Sequence, residues 1–136
     1  IETVKKLNWM PDIIHLHGWF ASLFPLYFKT LFSDDPVFDN SKIVSSIYNK
    51  SFEGSLSKKI TEKIQFDGIE EDLSNLSSPD FESLTDLMVK YSDSVIISSD
   101  NIDKSTLNSI KSHSKDSLSF KDSSNDEMLM EFLLKK

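Results

Sequence analysis

The sequence contains no cysteine and no arginine, and its fifteen basic residues are all lysines. The absence of Cys excludes a disulfide framework, thiolate chemistry and Cys-based zinc sites. The absence of Arg excludes a bidentate guanidinium contact with a phosphate group from within this chain. Only three glycines are present, which argues against a glycine-rich loop that wraps a phosphate.

Basic charge and long apolar runs are also scarce. The formal net charge is -7 at pH 7 and the pI is about 4.9, which argues against nucleic acid or an anionic membrane as a partner. No apolar run approaches the roughly 18 residues of a membrane span. No signal-peptide pattern is present either. We therefore expect a cytoplasmic protein that binds neither nucleic acid nor a membrane.

The length of 136 residues fits one domain with a modest core. The first residue is Ile1, and residues 1–9 have the pattern of a helix already under way, with Val4 and Leu7 on its apolar side. We interpret residues 1–136 as a single α/β domain, a fragment of a longer chain that is cut upstream.

The segment from Pro11 to Phe32 predicts a strand, a tight turn and a helix. Residues 12–17 contain an apolar run that is rich in β-branched residues and too short for a helix. Gly18 supplies the turn, and residues 19–32 have apolar residues at helical spacing. Pro25 lies inside this helix and is expected to kink it.

Strand and helix patterns then alternate along the chain. A strand, a crossover helix and a second strand imply parallel pairing. The expected fold is α/β, with a parallel sheet of three or four strands and helices on both faces. The predicted elements are strands at 42–49 and 94–99, a brief edge strand within 113–124, and helices at 56–66, 78–91 (Ser78 as N-cap, Pro79 first), 101–112 and 128–134.

Three blocks of sequence carry a resemblance to a known family. Residues 11–19 read P-D-I-I-H-L-H-G-W and resemble the P-D-x-x-H-x-H-D-W-H segment of the glycogen and starch synthase family. Residues 42–54 are similar to the family block in which a strand ends in I-H-N before an aromatic-Q-G turn, and Asn49 and Gly54 match it. Residues 84–100 resemble a later block, in which a helix leads to a strand that ends in serine.

The resemblance implies part of the N-terminal domain of a GT-B retaining glucosyltransferase. Such enzymes transfer glucose from ADP-glucose to an α-1,4-glucan, so these two molecules are the implied partners. ADP-glucose would be a substrate, and no cofactor is expected. The implied sugar-binding residues are His17, Trp19, Tyr48 and Asn49, and no catalytic residue or metal ligand is assigned.

Each implied site residue also has a structural interpretation. His17 and Trp19 either line a sugar cleft, with the indole stacked on a glucose ring, or form a packed turn over the end of the sheet. Asn49 either presents its amide to a sugar or caps the turn that follows. His15 is expected to point away from His17 and to be a buried histidine bonded to the backbone. Ser98 and Ser99 end the third strand and either face the same cleft or are structural.

Several positions depart from the family pattern. Gly18 stands where the family has aspartate, and Phe20 and Tyr48 stand where it has histidine. The phosphate-facing K-T-G-G-L motif would lie before residue 1, and the second GT-B domain is not in this sequence. Because a departing phosphate needs positioned cations, we predict that this chain alone has no transferase activity.

Three alternatives therefore stay open at this point. The chain is part of a glycogen or starch synthase, or a non-catalytic glucan-binding or regulatory relative, or an unrelated α/β interaction domain. An exposed sheet edge would also favour homo-oligomers. Outside these three blocks, His113 lies in a polar segment and is expected to have no chemical role.

Overall fold

A computed structural model of the protein describes residues 1–135 and contains a four-stranded, all-parallel sheet. The strands lie side by side in chain order, so each connection crosses over the sheet. They are β1 (Ile13–His17), β2 (Lys42–Ile47), β3 (Ser94–Ile97) and β4 (Asp116–Leu118). The predicted parallel α/β fold is confirmed, including a brief fourth strand at the edge.

Seven helices accompany these strands within the described residues. They are α1 (Glu2–Lys6), α2 (Phe24–Leu31), α3 (Lys59–Phe66), α4 (Phe81–Tyr91), α5 (Lys104–Ser112), α6 (Phe120–Ser123) and α7 (Asp126–Leu134). Among residues 1–135, none of them combines the length and the apolar character that a membrane crossing requires.

The alternation of side chains along β2 gives the sheet two different faces. Ile43 and Ile47 point to the first face, where α2, α4 and α5 pack. Val44 points to the second face, where Phe132 of α7 packs against it together with Ile96 of β3. The expected helices on both faces are therefore present, and α7 covers the second one.

The predicted helix at 19–32 is interrupted. Trp19–Ala21 form a short 3-10 turn, and α2 begins only at Phe24. Pro25 therefore lies in the first turn of α2, where its missing N–H costs no helical hydrogen bond. The expected kink was wrong, because proline starts this helix and does not interrupt it.

The start of α4 was predicted two residues too early. Its N-cap is Asp80, whose Oδ1 accepts a hydrogen bond from the Ser83 N–H at 2.8 Å. The Ser83 hydroxyl accepts in return from the Asp80 N–H at 3.0 Å. This reciprocal capping box outweighs the Ser78–Pro79 start signal, because it satisfies two backbone donors at once.

Other boundaries differ from the prediction in a similar way. The second and third strands end at Ile47 and Ile97, two residues earlier than predicted. Helix α5 begins after its N-cap Asp103, and α7 begins after Asn125, whose side chain accepts two backbone hydrogen bonds. Helix α6 was not predicted, because its four residues are too few to show a helical period.

Candidate functional site

A pocket of about 300 Å³ lies where all four parallel strands end. Each strand contributes a side chain at or just after its carboxyl end, and the four are His17, Tyr48, Ser98 and Phe120. Ligands of open α/β sheets bind at the carboxyl ends of the strands. The sequence placed His17, Tyr48 and Ser98 here, and the structure brings them together with His15 and Ser46.

His17 and Tyr48 form a hydrogen-bonded pair, with the His17 Nδ1 atom 3.0 Å from the Tyr48 hydroxyl oxygen. If the tyrosine donates, the His17 Nε2–H remains free to donate and the tyrosine oxygen can still accept. If His17 donates from Nδ1, the tyrosine O–H is free to donate and Nε2 can accept. In both tautomers the pair keeps one donor and one acceptor for a ligand.

His15 lies on the same side of β1 as His17, with the two ring centroids 4.2 Å apart. The expectation that it points away was wrong, because residues two apart on a strand share a face. Its Nε2 atom is 2.8 Å from the Ser46 hydroxyl, so its partner is a side chain and not the backbone. Burial lowers the pKa of His15 and the nearby charge of His17 lowers it further, which favours the neutral imidazole.

This lowered pKa predicts a loss of stability in mild acid. The unfolded chain protonates His15 near its ordinary pKa of 6.5, whereas the folded chain does so only at lower pH. This contribution to the free energy of unfolding should therefore be present well above pH 6.5 and be lost as the pH falls below 6.5 and through the lowered pKa of the folded chain. Urea unfolding across this range measures the slope, and His15→Gln should flatten it while still contacting Ser46. An equal slope in the variant would contradict the prediction.

The structure places Trp19 apart from this pocket. Gly18 has φ +68° and ψ 174°, a conformation essentially restricted to glycine, and it turns the chain at the end of β1. The Trp19 ring then packs on Phe52, with 4.7 Å between ring centroids, beside the first-face cluster that contains Leu26. This contact with Phe52 is the packing that the second interpretation of Trp19 expected, and the sugar contact of the first interpretation stays a prediction.

Asn49 lies beside the pocket. It is not one of the described residues that line the pocket. Its backbone N–H donates to the Ser99 hydroxyl at 3.2 Å, and its carbonyl accepts from the Ser51 hydroxyl at 3.1 Å. The contact with Ser99 joins the loop after β2 to the loop after β3, and the contact with Ser51 lies within the loop after β2. Its side chain is exposed at the same edge of the sheet.

Phe120, Ser123 and Ser124 were missing from the predicted site. They follow β4, outside the three sequence blocks that carry the resemblance. The available signal was the spacing of Leu118 and Phe120, because residues two apart on a strand point to the same face. Leu118 is buried against α7. Phe120 follows it two residues later and is therefore expected on the same side.

His113 has a structural contact that the sequence did not indicate. Its Nε2 atom is 3.0 Å from Oδ1 of Asp86, and the same oxygen accepts from the Ser109 hydroxyl at 2.5 Å. Burial, the largest influence, raises the pKa of Asp86, but the hydrogen bonds from Ser109 and His113 outweigh it, and the pKa is lowered. This cluster joins α4 to α5, away from the pocket.

Comparison with known proteins identifies the family. The starch synthase catalytic domain family matches residues 1–118. The chain belongs to this family. The match runs from α1 to the last residue of β4 and ends before α6 and α7. It confirms the resemblance based on residues 11–19 and 42–54. No solved structure matches the chain significantly.

The individual proteins that this member of the starch synthase family resembles are named glycogen synthases. The chain is 45% identical to that of Chlorobium luteolum over 64 residues, which are 47% of this chain and 13% of the relative. It is 40% identical to that of Clostridium perfringens over 60 residues, or 44% of this chain and 12% of the relative. It is 35% identical to that of Fervidobacterium nodosum over 81 residues, which are 60% of this chain and 16% of the relative. The matched segments thus span only a small part of each relative.

Proposed function

We propose that this chain is part of a glucosyltransferase of the glycogen or starch synthase type. In this proposal, the pocket at the strand ends binds a glucosyl unit of an α-1,4-glucan. The observation that carries the proposal is the His17–Tyr48 pair, which offers one donor and one acceptor in either tautomer. A sugar hydroxyl donates and accepts at the same time, and so complements this pair.

The lining of the pocket favours a neutral ligand over a phosphate. Among the described residues that line it, the polar groups are imidazoles, hydroxyls and a phenol, with no ammonium or carboxylate group. The lowered pKa of His15 keeps that ring uncharged at neutral pH. Such a lining suits a polyhydroxylated sugar, whereas the phosphates of ADP-glucose need cations. We therefore assign glucan to this pocket and leave the nucleotide of ADP-glucose to other parts of the enzyme.

A second candidate is a non-catalytic relative that binds glucan. It is favoured by the two departures at the strand end, since Gly18 has no side chain and Phe20 is apolar and 88% exposed. Neither residue offers a polar group where the family motif has one. The lack of arginine in this chain points the same way.

Four features of the sequence prediction stay predictions within this proposal. Trp19 and Asn49 lie at the same end of the sheet as the pocket and remain predicted glucan contacts. The edge strands β1 and β4 each leave one side of the ladder open, which is compatible with the predicted association through a sheet edge. The predicted cytoplasmic location also remains a prediction.

Calorimetric titration with maltoheptaose tests the proposed function. His17→Ala removes one hydrogen-bonding partner of the sugar and should weaken binding by about three- to tenfold. The matched control is His113→Ala, which removes a histidine outside the pocket and should leave the affinity unchanged. Thermal unfolding of both variants checks that they are folded. If the unmodified chain releases no heat of binding, or if both variants lose affinity equally, the pocket is not the glucan site.

An assay with radiolabelled ADP-glucose tests, in the same preparation, the expectation that this chain alone is inactive. Because positioned cations for the phosphate are lacking in this chain, we expect glucan binding without incorporation of label. Incorporation by this chain alone would rule out the non-catalytic candidate. It would also contradict the expectation of an inactive fragment.

A further inference from the structure

Phe120 forms one wall of the pocket, although it lies outside the segment that matches the family. We propose that Phe120 is the aromatic residue on which the sugar ring of the glucan stacks. The proposal rests on the glucan-binding function proposed above and adds a specificity-determining residue to it. It transfers to Phe120 the role that the sequence suggested for Trp19.

The strand register places Phe120 in the row of pocket residues. Ile47 of β2 pairs with Ile97 of β3, so Tyr48 and Ser98 follow side by side. Ile96 pairs with Leu118 of β4, so Phe120 comes level with Ser98 two residues later. The side chains of Tyr48, Ser98 and Phe120 therefore form one row on the second face of the sheet.

The same row would contain Trp19 if β1 continued as a strand. His17 pairs with Ser46, so an extended β1 would bring position 19 level with Tyr48. The turn at Gly18 removes Trp19 from that row and directs its ring to Phe52. The aromatic side chain that β1 does not supply is thus supplied from the opposite edge of the sheet.

Phe120 is held in place by hydrogen bonds at both ends of α6. At its start, the Ser119 hydroxyl accepts from the Asp122 N–H at 3.2 Å. At its end, the Ser123 hydroxyl lies 2.9 Å from the Phe120 carbonyl oxygen and 3.2 Å from the Ile97 carbonyl oxygen of β3, and it can donate to either. The first bond caps α6, and the proximity of Ser123 to Ile97 places α6, with Phe120 at its start, against the end of β3.

The exposure of Phe120 agrees with a ligand contact. The residue is 40% exposed, so part of its ring is covered by the protein and part remains free. A sugar ring presents C–H groups on its faces and hydroxyls around its edge. Its face can pack on Phe120 while an edge hydroxyl bonds to the His17–Tyr48 pair, the combination of an apolar wall and few polar groups that ligand pockets use.

Calorimetric titration with maltoheptaose also tests this inference. Phe120→Leu keeps an apolar side chain but removes the flat ring, and Phe120→Ala removes both. We expect each to weaken binding by about tenfold, whereas Phe120→Tyr should bind like the unmodified chain. The matched control is Phe66→Ala, because Phe66 of α3 is 91% exposed and lies outside the pocket. If the alanine variant does not fold, Phe120→Leu still tests whether the aromatic ring is needed for binding.

The outcomes distinguish this inference from the proposed function. If His17→Ala weakens binding but Phe120→Leu does not, glucan binds in the pocket without stacking on Phe120, and the inference is wrong. If Trp19→Ala weakens binding and the Phe120 variants do not, the stacking residue is Trp19. If the unmodified chain does not bind maltoheptaose, both proposals fall.

Discussion

Replacing Phe132 with alanine should lower the free energy of unfolding by about 3–5 kcal/mol. Phe132 is 8% exposed and is the buried side chain of α7. Its ring packs on Val44, Ile96 and Leu118, so one side chain joins three strands to the helix that covers the second face. The alanine variant leaves a cavity there, and it loses the contact of the Lys42 ammonium with the ring, 5.4 Å from its centroid.

Met130 provides a matched control on the same helix. It is 53% exposed, so Met130→Ala should change the free energy of unfolding by no more than about 0.5 kcal/mol. Urea unfolding followed by circular dichroism measures both variants. A similar small effect of the two substitutions would mean that α7 does not hold the second face closed. A domain of this size has a free energy of unfolding of about 5–15 kcal/mol, so the expected effect of Phe132→Ala is a large fraction of the total.

The architecture was predictable where the sequence pattern is strong. Residues 13–14, 43–44 and 95–97 are short runs of β-branched residues, and helical spacing separates them, so a parallel sheet follows. Boundaries were less predictable, because they depend on single side-chain contacts. Asp80 caps α4 through its bond to Ser83, and a period of apolar residues does not reveal that contact.

The candidate site was predictable only in part. His17 and Tyr48 end neighbouring parallel strands, and the structure brings them to 3.0 Å. The position of Trp19 depends on the backbone at Gly18, whose dihedral angles no pattern of apolar residues determines. Phe120 belongs to a segment beyond the family match, so a motif search does not reach it.

Restoring the aspartate of the family motif at Gly18 should destabilise the protein by about 1–3 kcal/mol. The cost comes from the backbone, because φ +68° with ψ 174° is a region that residues with a side chain rarely adopt. Steric clash contributes little, since a Cβ atom at this position would lie 3.7 Å from Cδ2 of Tyr48, an ordinary contact. Urea unfolding of Gly18→Asp measures the loss.

Phe20→His is the matched control, because it restores a second residue of the family motif in the same turn. Phe20 is largely exposed, so this change should alter the free energy of unfolding by no more than about 0.5 kcal/mol. If Gly18→Asp proved as stable as the unmodified chain, the positive φ at this position would carry no cost for a residue with a side chain, and the prediction would be wrong.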